Sequence, residues 1–566
     1  MAKAEKTVQE LVNAIERGEL LLPELQREYV WKGPRVRDLL DSLYRDYPSG
    51  VILTWQTSED VDLADFAVET EVSKTKNPLL LLDGQQRLTS LSAVIRGLPI
   101  IVKDQKKPLQ VLFNLDHPDS LTFPSEIHDI DNDEEYFELE APDAAESDTD
   151  FQKRMSSRAF VLHHKKLAAM PNWVSVTDIF KSNGDADILK GAGITSFDDP
   201  RFELYSSRIQ KVRAIKDYVY RMDILEDTMS YDEVTEIFVR VNSQGATLRG
   251  SDLALAQITA KWRGSLALFK DYEGHCNRAG FNFDTGILVK ALVSFATGQS
   301  LFKTVGSISL DRLKSSWTRT QRGLDYAFSF VRSNAGITHH SVLSSPFLVI
   351  TIAYWADKRG YNISEEESHQ MRRWLLLANA KGRYSQGSSE SLLNQDLAVL
   401  RNGGNHVELL ERLRQQVGRL DFEASELVGR GARSGIFRTM FLAFSKDEAK
   451  DWWQGLAISP THTGKPNSIQ FHHIFPKKFL STAFPEMPSR QIDDLANLAF
   501  ISADTNVKIS DDDPSEYLND IQEKSPGVLE KQQVPVDAEL WHADRYQDFL
   551  AARRELIAKR LNEFVQ

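Results

Sequence analysis

Two adjacent histidines and two asparagines near the C-terminal end are residues whose types and spacing could do chemistry. IQFHHIFPKKFL, residues 469–480, sets His472 beside His473 on a short strand-like run. IDDLANLAFISADTNVKISDDDPSEYL, residues 492–518, follows, with Asn497 and Asn506 flanking a second strand-like run, LAFIS. A histidine near neutral pH can take a proton from water. A divalent metal can hold a non-bridging phosphate oxygen and stabilise a leaving 3′ oxygen. Imidazole nitrogen and amide oxygen make a mixed donor set suited to Mg²⁺, Mn²⁺ or Ni²⁺. Lys477, Lys478 and Lys508 lie close by in sequence and could meet a DNA backbone. A structural account competes: two partly buried histidines and two turn asparagines.

A second stretch, LLLLDGQQRLTSL, residues 79–91, runs four leucines into Asp83-Gly84-Gln85-Gln86-Arg87. A strand ending at Asp83-Gly84 and a helix opening at Gln85 would bring backbone N–H groups to one point, where the helix dipole favours phosphate. Gly84 allows close backbone approach, Arg87 can fork onto phosphate oxygens, and Asp83 can hold hydrated Mg²⁺ or orient a water. In the competing account Asp83 caps a helix, Gly84 makes a turn and Arg87 is solvated. Two further stretches belong with this one. LPELQREYVW, residues 22–31, carries Gln26 and Arg27 followed by Tyr29 and Trp31; IFVRVNSQGATLRGSDL, residues 237–253, carries Asn242, Ser243 and Gly245. The chain contains no GxxxxGK[ST], so an ordinary P-loop is excluded.

The elements that must position these residues follow from periodicity. The first residues, MAKAEKTVQELVNAIERG, read as a polar amphipathic helix stopped by Gly18. ELLLP, VILTWQ, PLLLLD and LQVLFNL read as strands. Val36, Leu39, Leu40, Leu43, Tyr44 and Tyr47 mark one helix face, and QQRLTSLSAVIRG reads as a helix up to Gly97. Strand and helix alternate here, which predicts an α/β domain. From about residue 210 to 450 the chain reads as mostly helical. Arg372-Arg373 and Lys381-Gly382-Arg383 are expected on solvated helix faces. The final helix, with Arg553, Arg554, Lys559 and Arg560, suits core packing with a solvated face as well as it suits DNA contact. Residues 129–150 hold eleven acidic residues and no basic one, which predicts a solvated insertion.

Bulk composition narrows the class. With 566 residues the chain exceeds one ordinary core, so two to four domains are expected. The single cysteine, Cys276, excludes a disulfide framework and a cysteine-based zinc site. There is no apolar run near the roughly 18 residues that a membrane span needs and no signal-peptide core, so a cytoplasmic location is expected. The net charge of −13 argues against a nucleic-acid coat protein but not against a DNA enzyme, whose site charge is local.

Taken in order, the Gln26-Arg27, DGQQR and Asn242 stretches resemble the N-terminal domain of GmrSD-type modification-dependent restriction enzymes, over roughly residues 8–260. That domain is similar to the ParB/sulfiredoxin-like fold, in which a Gly-x-x-Arg turn holds phosphates. The resemblance implies NTP binding and hydrolysis by Asp83, Gly84, Gln85, Gln86 and Arg87, with Gln26, Arg27 and Asn242 at the same pocket and Asp83 and Arg87 catalytic. The His-His and two-asparagine spacing resembles the HNH (ββα-metal) domain of RNA-guided CRISPR nucleases and of the GmrSD C-terminal domain. It implies His473 as general base, His472 and Asn506 as ligands of Mg²⁺ or Mn²⁺, and Asn497 in a supporting role. Histidine at 472 replaces the CRISPR enzymes' aspartate, which leaves metal preference open.

The expectation is a multidomain α+β chain. Residues 1–260 would form an α/β nucleotide-binding and modification-sensing domain, 261–450 a helical region, and 451–566 an HNH endonuclease domain. The expected partners are modified double-stranded DNA and an NTP, with no membrane and with a homodimer left open. Two rivals stand beside a restriction endonuclease: a phosphorothioate-sensing defence nickase with DNA-stimulated NTPase, and a ParB-like DNA-binding switch with an inactive HNH module.

Overall fold

The computed structural model describes residues 2–57 apart from 25, 27, 28 and 30, then 63, 64, 66, 68, 78–98, 110–119, 148–244, 250–458 and 469–566. Arg27, the side chain of Asn242 and the acidic stretch up to residue 147 lie outside the described residues. The chain divides into two units, Met1–Leu266 and Ala267–Gln566.

In the first unit the N-terminal residues are not one helix. β1 (Ala2–Thr7) precedes α1 (Val8–Glu16). Thr7 and Glu10 switch strand to helix by a capping box: the Thr7 hydroxyl accepts from Glu10 N at 3.2 Å, and the Glu10 carboxylate accepts from Thr7 N at 2.7 Å. β2 (Leu20–Pro23), α2 (Gly33–Tyr44), β3 (Ile52–Gln56), β4 (Leu63–Ala64), β5 (Leu79–Asp83) and α3 (Gln85–Arg96) follow. β6 (Val111–Asn114), β7 (Phe160–Leu162) and β8 (Trp173–Ser175) make a separate antiparallel sheet in the order β7-β6-β8. β9 (Val219–Leu225) lies in a stretch expected to be helical. It enters the main sheet instead, whose order is β1-β9-β3-β5-β2-β4. Tyr220 and Met222 are buried while Val219 and Arg221 are exposed, the period of two that a half-buried strand shows.

The run of four leucines is explained by burial on both sheet faces. Leu79 and Leu81 meet the core formed with α1, α2 and α3, which includes Leu11, Leu40, Leu88 and Leu91. Leu80 and Leu82 meet a second cluster with Trp55, Tyr231, Val234 and Phe238. Successive side chains point to opposite faces, so a strand covered on both sides reads as continuously apolar.

The second unit is mainly helical, with its longest helix at Leu310–Ala335. The boundary expected at residue 450 falls inside this unit. Phe437 and Phe441, on the helix Gly435–Lys446, lie 4.9 and 5.1 Å from the Phe500 ring, and Arg560 of the last helix forks onto Asp447. The middle basic segment is not on a solvated face. Arg383 is buried and forks onto Asp396 at 3.0 and 2.8 Å, and Lys381 is buried against Glu426 at 2.7 Å. Arg553 is fully buried and donates to the carbonyls of Ala496 and Leu498, both at 2.8 Å. Arg554 pairs with Asp494 at 2.7 Å. These cations serve the interior because each finds carbonyl or carboxylate acceptors there.

Candidate active site

β10 (Ile469–His473) and β11 (Leu498–Ser502) pair antiparallel, with His472 opposite Ala499 and His473 opposite Leu498. The helix Ala503–Ile509 follows at once, so strand, strand and helix form one ββα element. Its corner is fixed by Ser502, whose hydroxyl accepts from Thr505 N at 3.2 Å, and by Asp451, which accepts from Ser502 N and the Thr505 hydroxyl, both at 2.7 Å. That corner sets Asn506 against β10.

His472 is 3 % exposed and its Nδ1 lies 2.7 Å from Asn506 Oδ1. Burial pushes its pKa down to about 4, against a smaller upward effect of the Asn506 hydrogen bond, so the ring is neutral at pH 7. Its Nε2 is buried with no hydrogen-bond partner. The nitrogen that faces the Asn506 amide oxygen is Nδ1; on a neutral imidazole it is the atom that could, once free of its proton, share a divalent cation with that oxygen, since metal ligation needs the deprotonated form. Among the described residues no group of three or more His, Cys, Asp or Glu side chains could hold a metal ion.

His473 meets Asp493 rather than Asn506: Nε2 lies 2.8 Å from Asp493 Oδ1. Lys477 Nζ reaches the same oxygen at 2.9 Å. Burial lowers the His473 pKa, and the Asp493 hydrogen bond opposes that shift. Asp493 was not singled out from the sequence; its signal was an acid in DDLAN, four residues before Asn497. Asn497 is fully buried and ties down the turn after His473. Its amide donates to Phe475 O at 3.1 Å and Ile492 O at 2.9 Å, and its Oδ1 accepts from Phe475 N at 2.8 Å. Of the nearby lysines, Lys478 pairs with Asp511, and the Lys508 ammonium sits 3.7 Å over the Trp453 ring.

In the first unit β5, Gly84 and α3 make a strand–turn–helix. Gly84 has φ +102, which favours glycine, and a Cβ there would lie 2.4 Å from Ile52 Cδ1, so that side chain would have to shift. The segment carrying Gln26 docks on this turn. Gln26 donates to Leu81 O at 2.9 Å and Leu82 O at 2.6 Å, Tyr29 meets Ser90 at 2.8 Å, and Gln86 Oε1 accepts from Trp31 N at 3.1 Å. Gln26, Gln85 and Gln86 are all buried. Arg87 is turned toward protein: it donates to Ser49 O at 2.5 Å, Val51 O at 2.8 Å and Asp83 Oδ2 at 2.9 Å. Gly50, at φ +95, admits that guanidinium, since a Cβ would meet Arg87 Nη1 at 2.5 Å. The Asp83 carboxylate thus has its counter-cation in Arg87, so the pair accounts for an acid at this turn.

The family model described as "GmrSD restriction endonuclease, N-terminal domain" matches residues 8–259. The chain is also 23 % identical over 572 residues to "Uncharacterized protein MJ0686" of Methanocaldococcus jannaschii, a match covering 94 % of this chain and 89 % of that protein. No helix among the described residues is long and apolar enough to cross a membrane.

Proposed function

We propose that the chain is a cation-dependent DNA endonuclease of HNH type that restricts modified foreign DNA, with an N-terminal domain that binds and hydrolyses an NTP. The observation that carries this reading is the ββα element: His472 faces Asn506 with one nitrogen orphaned, and the next residue, His473, is held by a carboxylate. The restriction-endonuclease family match over residues 8–259 supplies the context of defence and a DNA substrate.

His473 takes the proton of the attacking water, and Asp493 fixes its ring and stabilises the imidazolium that results. His472 and Asn506 would hold a divalent cation, Mg²⁺ or Mn²⁺, which would supply stabilisation of charge on the phosphate and the leaving 3′ oxygen. Asn497 keeps the loop after His473 in place, and exposed Lys477 and Lys478 meet the strand's phosphates. In the first unit the NTP phosphates lie at the Gly84 turn before α3. Asp83, Gln85, Gln86 and Gln26 line that pocket, while Arg87 braces the turn; Arg27 and the Asn242 side chain, which the resemblance implies for the same pocket, lie outside the described residues.

The test is nicking of supercoiled plasmid bearing no modification, glucosylated bases or phosphorothioates, with and without NTP, across a titration of Mg²⁺ and Mn²⁺. Wild type should cut modified DNA, and Asn506→Ala should need ~10–100-fold more cation. Preference for phosphorothioated DNA would select the defence-nickase form. No cutting of any DNA at any cation concentration would remove the endonuclease reading and leave a DNA-binding switch.

A further inference from the structure

The second unit holds a cavity of about 600 Å³ whose lining does not include His472 or His473, walled by Lys381, Arg430, Arg433, Arg438 and Glu426 as its charged groups. Four cations against one carboxylate make it electropositive. Lys381 pairs with Glu426 at 2.7 Å, and Arg430 Nε donates to the Glu426 carbonyl at 3.4 Å. Arg438 is half-buried. Its hydrogen bond runs from Nη1 to Leu343 O, and no carboxylate lies within ion-pair distance of it among the described residues. Burial lowers its pKa, the mark of a cation short of counter-charge. Arg430 and Arg433 are exposed at the rim.

Two neutral features point the same way. The cavity takes in Ser434, Gly435 and Ile436, the start of the twelve-residue helix Gly435–Lys446, whose dipole adds positive potential. Ser344, also in the wall, has a buried hydroxyl with no hydrogen-bond partner. A tetrahedral oxyanion would meet forked guanidinium donors, a helix start and an unmet hydroxyl together.

The loop at the cavity's rim is bonded to the turn that carries Asp493. Gly429 N donates to Asp494 Oδ2 at 2.9 Å, and Leu495 N donates to Arg430 O at 2.6 Å. Asp493, on that turn, holds His473 at 2.8 Å. An anion drawn to Arg430 therefore bears on the loop bonded to the turn that orients His473.

We propose that this cavity binds a phosphate group, and that the phosphate belongs to the DNA strand approaching His472 and His473. Phosphate binding rests on the cavity itself; its assignment to DNA rests on the endonuclease reading.

The experiment uses the full chain without divalent cation and follows binding of a fluorescent DNA duplex across a range of salt. Replacing both exposed arginines, Arg430→Ala with Arg433→Ala, should weaken binding about ten-fold and reduce the slope of log affinity against log salt by about two. Arg430→Lys with Arg433→Lys should restore most of that slope, and inorganic phosphate should compete better against wild type than against the double alanine variant. Unchanged affinity and slope in the alanine variant would overturn the site. Loss of NTP affinity with DNA affinity intact would overturn the DNA assignment. Cleavage is scored in parallel. Binding that depends on the arginines in a chain that never cuts would keep the phosphate site and sink the endonuclease. Cutting with binding indifferent to the arginines would do the reverse.

Discussion

Arg87 places its guanidinium against two carbonyls and a carboxylate of its own domain, at 2.5 to 2.9 Å. His472, at 3 % exposure, leaves Nε2 with no partner at all. Both residues sit in stretches whose composition suggests chemistry, yet their surroundings differ in kind. The Arg87 cluster is satisfied by the fold, so its charge does architectural work before any ligand arrives. The His472 cluster carries an unmet buried group, one of several such atoms among the described residues, and a group of that kind gains free energy from any partner that reaches it.

The largest expected effect tests the incomplete cluster. His473→Ala should reduce DNA cleavage by ~10²–10⁴-fold, the usual contribution of one positioned base, while NTP turnover on the same purified protein persists. Cutting at the wild-type rate would make the ββα element a structural fold without chemistry.

A second test reads stability against pH in the metal-free chain. His472 titrates near 4 when folded and near 6.5 when unfolded. Above about pH 6.5 both states hold it neutral, and it contributes no slope. As pH falls from about 6.5 toward about 4 the unfolded state takes the proton first, so stability is progressively lost, by roughly 3 kcal/mol in full. Comparing urea midpoints of wild type and His472→Gln should show that slope in wild type only; equal slopes would mean the ring is not buried neutral.

The smallest effect concerns the complete cluster. Arg87→Ala leaves the Ser49 and Val51 carbonyls and Asp83 unmatched, and should lower stability by about 1–3 kcal/mol, with NTP turnover falling alongside. Asp83→Asn keeps a hydrogen-bonding partner for Arg87 and should lose less stability. An unchanged urea midpoint in Arg87→Ala would refute the bracing role and return Arg87 to the phosphates.

Local chemistry was legible wherever the cause was local. PLLLLDGQQR shows its strand, its left-handed glycine and its helix start, because each follows from near neighbours. The same holds for the ββα order around HHI and LAFIS. β1 and β9 were harder. β1 pairs with β9, matching Ala2 with Ile224 and Thr7 with Val219, and nothing within seven residues of either end announces the other. VYRMDIL follows directly on the helical pattern of RIQKVRAIKDY and reads with it as helix, whereas Val219–Leu225 is a strand.

What the sequence offered by itself was a set of candidate residues, two histidines, two asparagines and a glycine turn, of which the glycine turn follows from near neighbours; pairing of Ile469–His473 with Leu498–Ser502 brings the histidines and asparagines together across more than twenty residues. What only the tertiary structure decided was the state of each charge. Lys381, Arg383 and Arg553 read as surface cations and are buried, because Glu426, Asp396 and the carbonyls of Ala496 and Leu498 reach them from distant segments. Asp493 read as one acid among many and holds His473. The free energy of an ionisable side chain depends on burial and on the acceptors within a few ångströms, and long-range packing supplies both.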